Sequence, residues 1–101
     1  QAGLARFTDE RQHDKNRVLF SNPASQRERV KMTIRLSYDE CHSWSVSKML
    51  NAGPSAYSDL LAAPDLTILC LYERGQTHPY EQITLARFNL AWLTGGEDLL
   101  A

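Results

Sequence analysis

The side chains best suited to covalent or acid–base chemistry, three histidines and two cysteines, are scattered along this sequence. His13, His42 and His78 fall in three different connections or termini, and no H-x-x-x-H, C-x-x-C or mixed Cys/His cluster offers metal-ligand spacing. They read as solvated or capping histidines. Cys41 and His42 are adjacent, but a nucleophile and its base must face each other, which neighbours along a strand do not do. Glu97 and Asp98 read as the acidic first turn of a helix. Gly53-Pro54 and Gly95-Gly96 read as chain punctuation rather than phosphate-binding loops. The expectation is a protein that is not an enzyme and needs no metal or cofactor.

The cysteines set a second expectation. Two thiols are too few for a disulfide framework, and free cysteine is commonly buried as a small apolar residue. Cys41 and Cys70 are therefore expected to be reduced and structural, as in a reducing compartment.

The elements that must carry any site come from periodicity. Residues 4–7 and 17–20 are short apolar stretches around a polar, turn-forming segment, and they read as a hairpin. Residues 21–25 break the second strand, since proline removes a donor and restrains Asn22. Residues 29–37 alternate throughout, with Val30, Met32, Ile34 and Leu36 on one face and Arg29, Lys31, Thr33, Arg35 and Ser37 on the other. That is the mark of a half-buried antiparallel strand. Residues 43–49 alternate again, setting Ser43, Ser45 and Ser47 opposite Trp44, Val46 and Lys48. Residues 51–54 read as a loop, 55–63 suit a strand or a helical turn, and 66–72 read as a buried strand.

Residues 78–93 read as a helix. Pro79 suits the first turn, and Glu81 complements the dipole there. Leu85, Phe88 and Trp92 form one apolar side; Ile83, Leu90 and Leu93, with Ala86, form another. A stripe this broad exceeds what one sheet face covers. Leaving one side wet would forfeit several burial terms of about 1.5–3 kcal/mol each, so a partner subunit is expected. Thr94-Gly95-Gly96 stops this helix, and residues 97–101 read as the start of a second.

With 101 residues, 43% hydrophobic and 23% charged, the chain has the size and composition of a single globular domain over residues 1–101. No apolar run approaches a membrane span, and the first residues lack the apolar block of a signal peptide, so neither membrane nor export is expected. The net charge of −1 hides an asymmetry: residues 1–35 carry +4 and the remainder −5. Such a division suits a polyanion or contacts between copies. Lys31, Thr33 and Arg35, with Ser45 and Ser47 beside them, put phosphate-binding charge and short hydroxyl donors on one surface, as RNA recognition requires.

In the order of its elements the sequence resembles the coat proteins of single-stranded RNA bacteriophages. The likeness lies in residues 29–49 (Arg-Val-Lys-Met-Thr-Ile-Arg-Leu-Ser through Ser-Trp-Ser-Val-Ser-Lys-Met) and in residues 65–93. The resemblance implies an α+β fold: an N-terminal β-hairpin and antiparallel sheet, then a C-terminal helix and the start of a second, in an interlocked homodimer. It further implies an icosahedral shell in a virion assembled in the bacterial cytoplasm around single-stranded RNA, with possible translational repression. RNA would meet Arg29, Lys31, Thr33, Arg35, Ser45 and Ser47. Ile83, Leu85, Phe88, Leu90 and Trp92 would form the dimer interface. The alternative is a small dimeric α+β binding or regulatory module of a bacterial cell.

Overall fold

The computed structural model describes residues 2–23, 30–75 and 82–100. Six strands form an antiparallel meander in which spatial order equals chain order: β1 (Gly3–Thr8), β2 (Arg17–Pro23), β3 (Val30–Ser37), β4 (Val46–Ala62), β5 (Ile68–Arg74) and β6 (Gln82–Phe88). A four-residue helix, α1 (Leu90–Leu93), follows.

The expected N-terminal hairpin is present, with Leu4 opposite Phe20 and Ala5 opposite Leu19. Alternation also places β3 correctly: Met32, Ile34 and Leu36 are fully buried, aligned with Pro23, Ser21 and Leu19 of β2. The inward rows of the sheet make one core from Phe7, Leu19, Met32, Ile34, Leu36, Leu60, Ile68, Cys70 and Tyr72, closed by Leu90 and Leu93.

β4 differs from its expectation. Residues 51–54 are not a loop; they lie within a single 17-residue strand. Its first half pairs with β3, out to Pro54 opposite Val30, and its second half pairs with β5, from Ser55 opposite Arg74 to Ala62 opposite Ile68. Gly53 and Pro54 mark the exchange of partners, where the Gly75 N–H donates to the Pro54 carbonyl at 3.1 Å. The sheet thereby curls, bringing β1 and β2 against the second half of β4.

The helix expected over 78–93 is the largest correction. Residues 78–81 lie outside the described ones, and 82–88 are strand β6, paired with β5 from Ile68 opposite Phe88 to Arg74 opposite Gln82. The segment Gln-Ile-Thr-Leu-Ala-Arg-Phe also has a period of two. Ala86 and Phe88 turn to the core, while Ile83 and Leu85 stand on the outer face, 71% and 54% exposed. Apolar residues on both faces of a strand imitate the wide stripe of a helix. Among the described residues only 90–93 is helical, capped by Asn89 Oδ1, which accepts from Trp92 N at 2.8 Å. Gly95 and Gly96, at φ 64° and 85°, end it in the left-handed region open to glycine. The α+β fold class is thus overturned in favour of a curled, almost wholly β sheet.

The expected second helix is also absent, because Asp98 has another task. Its carboxylate accepts from Arg17 Nε and Nη2, both at 2.8 Å, and from the Tyr38 hydroxyl at 2.7 Å. Arg17, fully buried, also donates to Asp14 at 2.9 Å and to Thr8 Oγ1 at 3.1 Å. Burial alone would raise the Asp98 carboxyl, but the hydrogen bonds from Arg17 and Tyr38 hold it at about 2. Burial, reinforced by Asp98, pushes the Tyr38 phenol up to about 12. This cluster staples the C-terminal turn to the first hairpin and the end of β3.

Removing one member of a buried ion pair strands the other, so Asp98→Ala is expected to cost about 3 kcal/mol or more in denaturant unfolding. A lowered carboxyl pKa stabilises above the unfolded value of about 4 and loses that effect as pH falls through the folded one. Unfolding free energy should therefore drop between about pH 4 and pH 2, and Asp98→Asn should flatten that drop.

Candidate active site

The outer face of β4, β5 and β6 carries a cleft of about 180 Å³ lined by Tyr57, Ser58, Asp59, Leu71, Tyr72, Glu73 and Ile83. Its geometry follows from a break in pairing. Ser55 stands opposite Arg74 and Ser58 opposite Tyr72, so Ala56 and Tyr57 together face Glu73 alone. This is a β-bulge, which bends the strand and re-aims a side chain. Ala56 turns into the core with no exposure, and Tyr57 stands outward at 44%. Glu73 is half-buried, and its Oε1 is enclosed without a hydrogen-bond partner among the described residues. Asp59 is exposed, its Oδ1 accepting from the Leu60 N–H at 3.0 Å.

Two phenols, the outward Tyr57 and the buried Tyr72, and two carboxylates therefore share one concave patch. Tyrosine can act as a covalent nucleophile when a neighbouring group takes its proton. An enclosed carboxylate oxygen is costly unless a donor reaches it. The cleft lining holds no lysine or arginine among the described residues.

A second polar construction lies at the turn between β3 and β4. Asp39 Oδ1 accepts from the Ser37 hydroxyl and the Ser43 N–H, each at 2.8 Å, and its Oδ2 accepts from the Ser43 hydroxyl at 2.6 Å. Ser37 Oγ in turn accepts from the Cys41 N–H at 2.9 Å. Hydrogen bonds from Ser43 and Ser37 hold the Asp39 carboxyl at about 2. The turn forces Glu40 and Cys41 to φ 58° and 74°. Arg6 of β1 pairs with Glu40 across it.

The residues expected to meet RNA are dispersed. Lys31 is exposed at φ 64°, in the irregular pairing between Val30 and Met32. Thr33 is buried, and its hydroxyl donates to the Lys31 carbonyl at 2.7 Å. Arg35 is half-buried opposite Ser47, with its Nε enclosed and without a hydrogen-bond partner among the described residues. Ser45 is exposed ahead of β4, and Arg29 lies outside the described residues. Of the expected dimer contacts, Ile83 and Leu85 are on the outer face. Leu90 is in the core, and Phe88 stacks at 5.2 Å on Trp92, whose ring Lys48 covers at 4.2 Å. Cys41 is exposed and Cys70 buried; both are free.

Comparison with known proteins shows what the chain is similar to. No protein-family model matches the chain. Over 78 residues, 77% of its length, it is 49% identical to a sialidase of Micromonospora viridifaciens, and over 80 residues it is 39% identical to human sialidase-4. Its relatives are sialidases. Among solved structures, the Hadza microbial sialidase Hz136 superposes over 92% of the chain with a TM-score of 0.76 and 28% identity. A leech intramolecular trans-sialidase shares the fold, with a TM-score of 0.73. The sheet thus resembles blade fragments of the sialidase β-propeller. The chain spans a small part of these proteins, 11% of the Micromonospora sialidase, 16% of human sialidase-4 and 18% of Hz136.

These findings overturn the coat-protein resemblance, along with the virion, the RNA partner and the capsid-forming homodimer it implied. They also overturn the regulatory module and the expectation that the protein is not an enzyme, since sialidases are glycosidases. Sequence alone does not reveal the cleft, because a lone tyrosine has no spacing signature and Tyr57 meets Glu73 only through the register of β4 with β5.

The Asp39 turn makes its own prediction. Cys41→Gly should relieve left-handed strain and raise unfolding free energy by about 0.5–1 kcal/mol. Asp39→Ala should lower it by about 1–2 kcal/mol, because three hydrogen bonds of the turn lose the carboxylate that accepts them. Equilibrium denaturation of the two variants checks both signs.

Proposed function

We propose that this chain is a section of the catalytic domain of a sialidase-type glycosidase and that Tyr57 is its nucleophile. The observation that carries the reading is the bulge: in a chain whose relatives are sialidases, a pairing break turns a tyrosine out into a cleft opposite a glutamate. In the reaction a carboxylate base takes the Tyr57 phenolic proton, and Tyr57 Oη forms a bond to the anomeric carbon of a sialoside as the glycosidic C–O bond breaks. An acid protonates the departing oxygen. Water then cleaves the tyrosyl glycoside and returns the phenol.

Glu73 serves this site as an acceptor. Its enclosed Oε1 suits a cationic or hydroxyl donor brought by another part of the polypeptide, because a charge-assisted hydrogen bond is what makes a buried carboxylate tolerable. The cation that would recognise the carboxylate of a sialoside also comes from outside the described lining. The outer face fits the same reading. Leu61, Leu71, Ile83 and Leu85 are all about half exposed or more, which suits a segment packed inside a larger domain.

The test is hydrolysis of a fluorogenic sialoside by the polypeptide that carries this chain. Tyr57→Phe removes the attacking oxygen and is expected to lower kcat by about a thousandfold or more, with the thermal midpoint unchanged. Glu73→Gln is expected to cost about ten- to a hundredfold, because the neutral amide keeps an acceptor but loses the charge. Full turnover by Tyr57→Phe, or no sialoside hydrolysis by the unmodified protein, would overturn the reading.

A further inference from the structure

The bulge that presents Tyr57 creates a mechanical problem. Where two residues face one, the ladder hydrogen bonds that fix a strand are interrupted. Tyr57 is thus held least by β5 at the point where its position matters most. Restraint of the strand itself can come from behind it, where two features of the first hairpin lie.

Ser21 of β2 is fully buried, and its Oγ lies 2.7 Å from the Oγ of Ser58, the residue after Tyr57. The Ser58 hydroxyl is also 3.2 Å from the Ser21 carbonyl and donates to it. With that proton so placed, the Ser21 hydroxyl donates to Ser58 Oγ, and the pair closes a short, directional loop between β2 and β4. Gly3 of β1 stands opposite Ser21. A Cβ on it would fall 2.7 Å from Ser21 Oγ and 3.1 Å from both Asp59 Cα and Leu60 N. β1 therefore presses against the backbone of β4 at a distance that a side chain would prevent.

We propose that the Ser21–Ser58 hydroxyl pair, backed by the close approach of Gly3, is a positioning device that sets Tyr57 in the cleft. The proposal rests on Tyr57 as the nucleophile. Neither Ser21 nor Gly3 lines the cleft, so neither touches substrate. They act through the backbone, locking β4 just beyond the bulge while Ser58 and Tyr72 resume regular pairing. The Ser21 hydroxyl is fully buried and also meets the Cys70 thiol, whereas Ser58 is half-buried, so the cost of breaking the pair falls on Ser21, which loses its directional oxygen partner. A displacement of about 1 Å at a reacting group can cost on the order of a hundredfold in rate, so even a small release of β4 should be visible.

Steady-state kinetics of the whole polypeptide on a fluorogenic sialoside test this, with Ser21→Ala, Ser58→Ala, the double variant, Ser58→Thr and Gly3→Ala beside Tyr57→Phe. Ser21→Ala and Ser58→Ala are each expected to lower kcat by about tenfold or more while KM stays within about twofold. The double variant should be no worse than the worse single one, because either change breaks the same loop. Ser58→Thr keeps the hydroxyl and should hold kcat within about threefold of the unmodified protein. Gly3→Ala should reproduce the loss of kcat from the other side of the contact.

Unchanged kcat in both serine variants, multiplicative losses in the double variant, or a Ser58→Thr variant as slow as Ser58→Ala would overturn the proposal. So would losses that merely follow the folded fraction, measured by thermal unfolding of each variant. If Tyr57→Phe is inactive while Ser21→Ala is fully active, the positioning device alone fails. If Tyr57→Phe turns over normally, the assignment of the nucleophile fails and the device with it.

Discussion

Everything in this molecule depends on one strand having two partners. β4 satisfies β3 with its first half and β5 with its second, changing over at Gly53 and Pro54. A backbone has one set of donors and acceptors to offer, so a strand that changes partners must bend, and the sheets on either side bend with it. The curl brings the first hairpin behind the second half of β4 and turns the other face of that half outward. The cleft and the surfaces that support it are thus two sides of the same few residues, from Ser55 to Leu60.

A second constraint holds the curl closed. The Arg17 guanidinium is shared by Asp14 near the first turn and Asp98 near the other end of the chain, with Tyr38 completing the shell around Asp98. Burying an arginine is tolerable when its donors are met by carboxylates and hydroxyls, and four of the contacts here do so at 3.1 Å or less. None of these four residues lines the outward cleft. Stability and chemistry are therefore assigned to separate sets of charged residues, so a change in the clasp does not have to reach the cleft.

Much of the sheet was legible in the sequence, and what was not has physical causes. Alternation located β3, because one face of that segment is apolar and the other polar, and two short apolar stretches around a polar turn located the first hairpin. It failed at β6, where Ile83 and Leu85 face outward and Ala86 and Phe88 face inward, so that both faces read as apolar and a period of two passed for a helix. It failed at residues 51–54 because Gly53-Pro54 has turn composition, whereas here it marks a change of pairing partner. The site was hidden for a different reason. A single tyrosine has no spacing signature, and its juxtaposition with Glu73 exists only through the register of β4 with β5. Lys31, Thr33 and Arg35 gave a false lead for the converse reason: alternation puts them on one face, but a bulge at Lys31 and the burial of Thr33 break that face apart.

The order of the meander has a consequence for how such a chain is made. Each strand from β2 to β6 pairs with the one synthesised immediately before it, so during translation every new strand meets a finished template as it emerges. β4 does so with its first half only. Its second half needs a strand behind it that is already in place and another beside it that has yet to appear. The nascent chain therefore has to hold the tyrosine strand against the first hairpin alone until β5 leaves the ribosome.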